Sequence, residues 1–234
     1  GPAGARDFLI RALEIPAGVD PFDSGNWIDT DVTPDGRLHV GYAQQVENTP
    51  YPYQTVYVGP DGAVVVDESV ATPFGFVNVD ATPSGRLGIG YQAVVGDLFR
   101  TALPPQWEPV QQILPIVDEA PTHIAVDRAD TYQQVAYFDG HYSDAGFADL
   151  RWARPAVPTY FSQFVDEVYL RHRRGRQIDI QVDQFDEPRI AYFGSDHSLR
   201  YAYRSGSTWV VEEVTVMLGQ GLGHVDLALD GAGR

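Results

Sequence analysis

Cysteine is absent from the 234 residues and methionine occurs once. The chain therefore has no disulfide, no thiolate metal site and no cysteine nucleophile, and its redox compartment is left open. Positive charge is also scarce. Lys plus Arg total 16 against 32 Asp plus Glu, a formal net charge of −16. A field of that sign repels phosphate backbones and anionic lipid, which argues against nucleic-acid or anionic-membrane binding and suits cationic or neutral partners. No stretch approaches the roughly 20 apolar residues that span a bilayer, and no basic segment followed by an apolar run opens the chain. Gly1-Pro2 resembles the scar of a tag-removing protease, so the expectation of an extracellular or periplasmic protein rests on no visible signal. There is also no Gly-x-Ser-x-Gly elbow, Walker loop or His-Glu-x-x-His. Gly219-Gln-Gly-Leu-Gly223 only imitates a dinucleotide loop, because it leads into another strand-like run instead of a helix.

What remains is material for strands and turns. Apolar residues make up 44% and charged residues 21%, with 23 Gly and 17 Pro. Self-similarity then organises the chain. Its sharpest unit runs Ile178 to Asp183, Pro188 to Phe193, Leu199 to Arg204 and Trp209 to Val214, four short strand-like segments separated by Gly, Asp, Ser or Pro. The preceding unit repeats the order with Ile124 to Asp127, Val135 to Asp139, Leu150 to Arg154 and Phe164 to Val168. Two earlier units begin at Ile28 and Val77. Tyr42, Tyr91, Tyr137 and Tyr192 recur at equivalent places, where large rings fill the wedge between packed sheets.

This period predicts an all-β fold, a β-propeller of four-stranded antiparallel blades, with about five repeat units and an incomplete closing blade, whether alone or within a larger propeller. One domain is expected over residues 1–234, with units near 27–76, 77–121, 122–176 and 177–223. A split unit comes from 1–26 and 224–234. In it Phe8 to Ile15 reads as an outer strand and Val225 to Leu229 as an inner one. Downstream sequence or a partner is expected to complete that unit.

At these residues the chain resembles the bacterial propeller repeats, labelled sialidase-like or BNR-like, that read approximately I-x-V-D-x-x-G-x-P-x-I-A-Y-x-D, then L-x-Y-A, then W-x-x-E-x-V. The resemblance implies the fold. It carries no sialidase chemistry here, because the Ser-x-Asp-x-Gly-x-x-Trp box and a three-arginine cluster are missing.

Candidate site residues lie in the connections from second to third strands and from blade to blade, which share one face. Asp139, His141 and Asp144, with Asp196 and His197 one unit on, offer oxygen and imidazole ligands. A divalent cation such as calcium is the one cofactor they suit. Otherwise none is expected. Arg171, Arg173, Arg174 and Arg176 concentrate cationic charge in one short segment and suit an anion, an acidic partner or solvated pairing with nearby carboxylates. Solvated loop residues are the plain alternative for all of them. The recurring Asp31, Asp80, Asp127, Asp183 and Asp230 are read as turn-stabilising carboxylates at the end of each first strand. The function expected is noncatalytic binding or scaffolding, recognising a protein or glycan through the loop face. A propeller glycoside hydrolase or polysaccharide lyase, and a purely structural module of a larger assembly, are the alternatives.

Overall fold

The computed structural model describes residues 28–33, 36–45, 53–59, 62–70, 77–82, 86–93, 96–103, 106–107, 111–112, 122–126, 133–139, 147–156, 159–169, 178–194, 198–216 and 225–229. Four antiparallel sheets follow one another along the chain. The first contains β1 (Ile28–Val32), β2 (Leu38–Gln45), β3 (Tyr53–Gly59) and β4 (Gly62–Val70), paired in that order. The second contains β5 (Val77–Ala81), β6 (Leu87–Ala93) and β7 (Gly96–Leu103). Its fourth strand is in two pieces, β8 (Gln106–Trp107) and β9 (Gln111–Gln112), both paired with β7. Pro109 falls between the pieces, where a residue without an N–H cannot serve a ladder. The third sheet is β10 (Thr122–Val126), β11 (Gln133–Asp139), β12 (Phe147–Ala156) and β13 (Thr159–Tyr169). The fourth is β14 (Ile178–Val182), β15 (Pro188–Phe193), β16 (Ser198–Ser205) and β17 (Thr208–Val216).

First strands pack on first strands, β1 against β5, β5 against β10 and β10 against β14. This is the inner edge of a radial arrangement. The recurring tyrosines set the register, with Ile28 opposite Tyr42, Val77 opposite Tyr91, Thr122 opposite Tyr137 and Ile178 opposite Tyr192. Tyr91, Tyr137 and Tyr192 are fully buried and Tyr42 is half-buried. Apolar cores form between sheets. Ala43, Tyr57 and Val66 of the first meet Val77, Val79, Leu87 and Ile89 of the second, while Phe138, Leu150 and Trp152 of the third meet Ile178, Ile180 and Ile190 of the fourth.

A second repeat emerges in the front face of each sheet. The third-strand aromatics Tyr57, Trp152 and Tyr201 lie opposite small second-strand residues, Gly41, Ala136 and Ala191. Their polar tips are held by neighbours on the second strand. His39 Nδ1 lies 2.6 Å from Tyr57 Oη, and Trp152 Nε1 donates to Gln134 Oε1 at 2.9 Å. A buried ring with a satisfied polar tip keeps its packing energy without stranding a donor. At Gly41 the space is already filled: an added Cβ would meet Val79 Cγ2 and Val77 Cγ1 of the next sheet.

The recurring aspartates divide into two registers. Thr33, Thr82 and Asp183 occupy the true turn position, each donating its N–H across the turn, to Arg37, Arg86 and Glu187 respectively. Asp183 Oδ1 also accepts from the N–H groups of Phe185 and Glu187, at 2.8 and 3.1 Å. Asp31 stands two residues earlier and does something else. Its Oδ2 accepts the N–H of Ala81 at 2.6 Å, and Asp29 Oδ2 accepts that of Val79 at 2.9 Å. These carboxylates latch one first strand to the next. Asp179 repeats the latch, accepting the Leu227 N–H at 2.5 Å. Residues 225–229, expected as a strand, lie in no ladder. Leu227 nevertheless stands where Val79 stands, which places the segment at the first-strand position of a fifth unit. The Phe8 to Ile15 expectation falls outside the described residues.

Candidate functional site at the blade seams

Third and fourth strands carry a bulge at the same step in three sheets, between Thr55 and Val56, Leu150 and Arg151, and Leu199 and Arg200. In the third sheet the pairing skips Val165, so Leu150 faces Asp166 while Arg151 faces Phe164. A bulge lets consecutive residues share a face. Val165 is thus buried in the core toward the fourth sheet, and Asp166 reaches the same neighbour. Asp166 Oδ2 accepts the Tyr192 hydroxyl at 2.6 Å and Arg200 Nη1 at 2.7 Å. Arg200 Nε donates to Ser198 Oγ at 3.0 Å, and Gly194 lies beneath the guanidinium, where any Cβ would strike it. Burial first, and then the Asp166 carboxylate, push the Tyr192 hydroxyl far above the ordinary tyrosine range. The phenol is a fixed donor. Arg200 and Asp166 each keep 21% exposure, so the pair is held rigidly with an open edge.

The equivalent of Arg200 one sheet earlier is Arg151, opposite Tyr137 as Arg200 is opposite Tyr192. Its Nε meets Asp139 at 2.8 Å and its Nη2 meets Asp149 at 2.9 Å. Asp139 and Asp149 are directly cross-strand, a placement that repels unless a cation sits between them. The chain contains no lysine, so every ordered cation is a planar guanidinium with several fixed donors. Arg200 offers such a fork beside a carboxylate across the seam between the third and fourth sheets, and Arg151 offers one beside two carboxylates of its own sheet.

Of the expected site residues, only Asp139 is described, and it is an ion-pair partner of Arg151. His141, Asp144, Arg171, Arg173, Arg174, Asp196 and His197 lie outside the described residues. Their segments, 140–146, 170–177 and 195–197, leave the strands at the end that carries Asp139, Tyr192 and Arg200. Among the described residues no group of three or more His, Asp or Glu is placed to hold a metal ion, and no helix is long and apolar enough to cross a membrane. Sequence reading missed Asp166, Tyr192 and Arg200 as a group. The available signal was the repeated Leu-Arg pair, Leu150-Arg151 and Leu199-Arg200.

Comparison with solved structures bears on the fold. Aleuria aurantia lectin in complex with Fucα1-6GlcNAc is similar over 86% of this chain and 66% of its own, with TM-score 0.59 and 11% identity. AofleA from Arthrobotrys oligospora is similar at TM-score 0.60 and 8% identity, over 86% of this chain and 59% of its own. SapL1 lectin in complex with α-methyl fucoside follows at TM-score 0.54 and 12% identity, over 83% and 63%. The fold is a β-propeller. The chain spans between 59% and 66% of the length of these three lectins, and the Aleuria lectin is described as a six-bladed propeller with its own mode of fucose recognition. No protein-family model and no curated protein sequence matches the chain.

Proposed function

We propose that this propeller is a noncatalytic glycan-binding protein that takes a neutral sugar at the seams between blades. The supporting observation is the arginine repeated at one register position, Arg200 at the seam between the third and fourth sheets and Arg151 within the third, each partly exposed and oriented by carboxylate oxygens. A sugar presents vicinal hydroxyls that both donate and accept. A guanidinium edge beside a carboxylate supplies the complementary acceptor and donor set, already ordered, so little side-chain entropy is lost on binding. The similar propellers solved with fucose-containing ligands make a deoxyhexose the first sugar to test. A net charge of −16 disfavours carboxylate sugars, so the sialidase-like character of the repeat is carried only as far as strand order. Connections 140–146, 170–177 and 195–197, with His141, Asp144, Arg171, Arg173, Arg174, Asp196 and His197, are proposed to extend the same surface toward the rest of a glycan or a protein bearing it. A calcium ion among these residues belongs to that proposal and is tested by chelation.

Titration calorimetry with α-methyl fucoside, preceded by a glycan array, tests the reading. Arg151→Gln with Arg200→Gln should weaken binding at least tenfold while the fold persists by circular dichroism. Unchanged affinity in that double variant would remove the seam from the site. Turnover of a glycan would replace the binding reading with the hydrolase or lyase alternative, and silence on every sugar would favour the structural module.

A further inference from the structure

The seam between the third and fourth sheets has a second polar group, at the end of the strands opposite Asp166 and Arg200. Trp152 lies 1% exposed between the sheets, with Phe161 edge-on at 6.2 Å and Trp209 of the fourth sheet edge-on at 5.8 Å. Arg154 stands over this ring from its own strand and Arg204 from the facing sheet, their guanidinium carbons 5.7 and 5.0 Å from its centroid. The ladders fix this arrangement. Arg154 is the cross-strand partner of Phe161, and Arg204 of Trp209, so each arginine brings an aromatic neighbour to the seam. An indole face attracts a cation through its quadrupole, but two cations held at one ring also repel each other.

Donors here outnumber acceptors. Among the described residues Arg154 makes only ring contacts, to Trp152 and Phe161. Arg204 Nη2 donates to the Gly206 carbonyl at 3.1 Å, and its Nη1 stands 3.6 Å from Glu187, too far for a hydrogen bond. Arg204 Nε and Trp209 Nε1 are buried with no acceptor among the described residues. Trp152 differs, since its N–H already donates to Gln134. A buried N–H without an acceptor is costly, so two of them beside an arginine with no oxygen partner mark a place that suits an acceptor.

Sign and shape name that acceptor. Guanidinium and indole groups only donate, so the ligand must accept. A carboxylate matches the planar fork of arginine and carries a single charge. Screening weakens the field of the chain's net −16 beyond roughly 8 Å at physiological salt, so at contact the excess of two arginines over Glu187 decides. A polyanion would meet the whole field. Phe161, 43% exposed beside Arg154, gives a ring or alkyl group a surface to pack on.

We infer that Arg154, Arg204 and Trp209 form a second binding site, at the turn end of the seam between the third and fourth sheets, for a carboxylate joined to an aromatic or apolar group. The inference is independent of the sugar reading, whose residues lie at the other end of the strands.

The test follows the indole N–H resonance of Trp209, one of four tryptophans, in the full chain titrated with sodium phenylacetate. The resonance should shift with a dissociation constant of about 1–10 mM, the range for a ligand this small. Arg154→Gln should raise that constant about fivefold or more while moving the melting midpoint by no more than about 2 °C, because the side chain is exposed. Arg154→Lys should recover only part of the loss, since an ammonium keeps the charge and lacks the fork. 2-Phenylethanol, which has the ring without the carboxylate, should bind about fivefold more weakly or worse. A further arm separates two sources of the carboxylate. N-acetylphenylalanine binding more tightly than phenylacetate points to the end of a peptide chain, and equal or weaker binding to a small free acid. No shift of the Trp209 resonance up to about 50 mM phenylacetate would overturn the inference. So would an unchanged constant in Arg154→Gln, equal binding of 2-phenylethanol, or displacement of phenylacetate by α-methyl fucoside, which would put both at one site.

Discussion

Removing the Tyr192 hydroxyl isolates one of the polar contacts that tie the third blade to the fourth. Tyr192→Phe deletes one donor at a fully buried ring and leaves Asp166 with Arg200 and the Glu167 N–H. Hydrogen bonds to charged groups contribute about 1.5–3 kcal/mol when both partners are well placed. The open edge and the second partner of Asp166 argue for the lower end, so a loss of about 1.5 kcal/mol is expected. Asp166→Asn should cost about the same or somewhat more, because it also weakens the Arg200 pair. The informative quantity is the coupling. In a double-mutant cycle followed by urea unfolding, the two losses should overlap by about 1 kcal/mol, within the range for residues in direct contact. A pH arm carries the same argument. Tyr192 has a raised folded-state pKa, so its contribution is fully present below the unfolded-chain value of about 10 and is lost as pH rises above it toward the folded value. Tyr192→Phe should therefore flatten the alkaline limb of the stability curve. Additive single losses, with coupling below about 0.3 kcal/mol, together with an unchanged alkaline limb, would mean that these blades do not meet through Asp166.

Gly41→Ala should destabilise by about 1–3 kcal/mol through overpacking against Val77 and Val79. Gly36→Ala, at a left-handed φ of 83° with open space around it, should lose only about 1 kcal/mol by conformational cost. Equal effects in thermal unfolding would refute the close approach at Gly41. At Asp183, burial works against the charged form but is outweighed by Arg189 and by the N–H groups of Phe185 and Glu187, so its pKa is lowered. That stabilisation is present above the unfolded value of about 3.9 and lost as pH falls toward the folded one. Asp183→Asn should lower stability at pH 7 and reduce its loss between about pH 4 and pH 2, measured by urea midpoints. An unaltered acid limb would rule out the carboxylate as its source.

Strand order was legible because period-2 patterning and turn residues are local signals, and Tyr42, Tyr91, Tyr137 and Tyr192 mark the same step of each unit. The seam was not. Strict alternation puts Val165 and Asp166 on opposite faces, and only a bulge, which leaves no mark in the pattern, brings both toward the next blade. The aspartate series misled for a related reason. Asp31 and Asp183 look alike in sequence, yet Asp183 follows the strand residue that ends its ladder and Asp31 precedes the corresponding residue by one, so one caps a turn and the other reaches across to Ala81. Asp127 and Asp230 lie outside the described residues. Residues 225–229 carry the sequence phase of a first strand and the Leu227 N–H meets Asp179 as Val79 meets Asp29, but they lie in no ladder.

The carboxylate latch also gives the molecule a direction of growth. The first and fourth units carry their acceptor at the same register position and each meets a backbone donor of the following unit, whereas the third has His123 and Ala125 where Asp29 and Asp31 stand, so a duplicate of the first or fourth unit arrives equipped for the unit that follows it. Copying either of these units would carry over its own joint, because the pairing that Asp29 and Asp179 make travels with the unit that supplies the carboxylate.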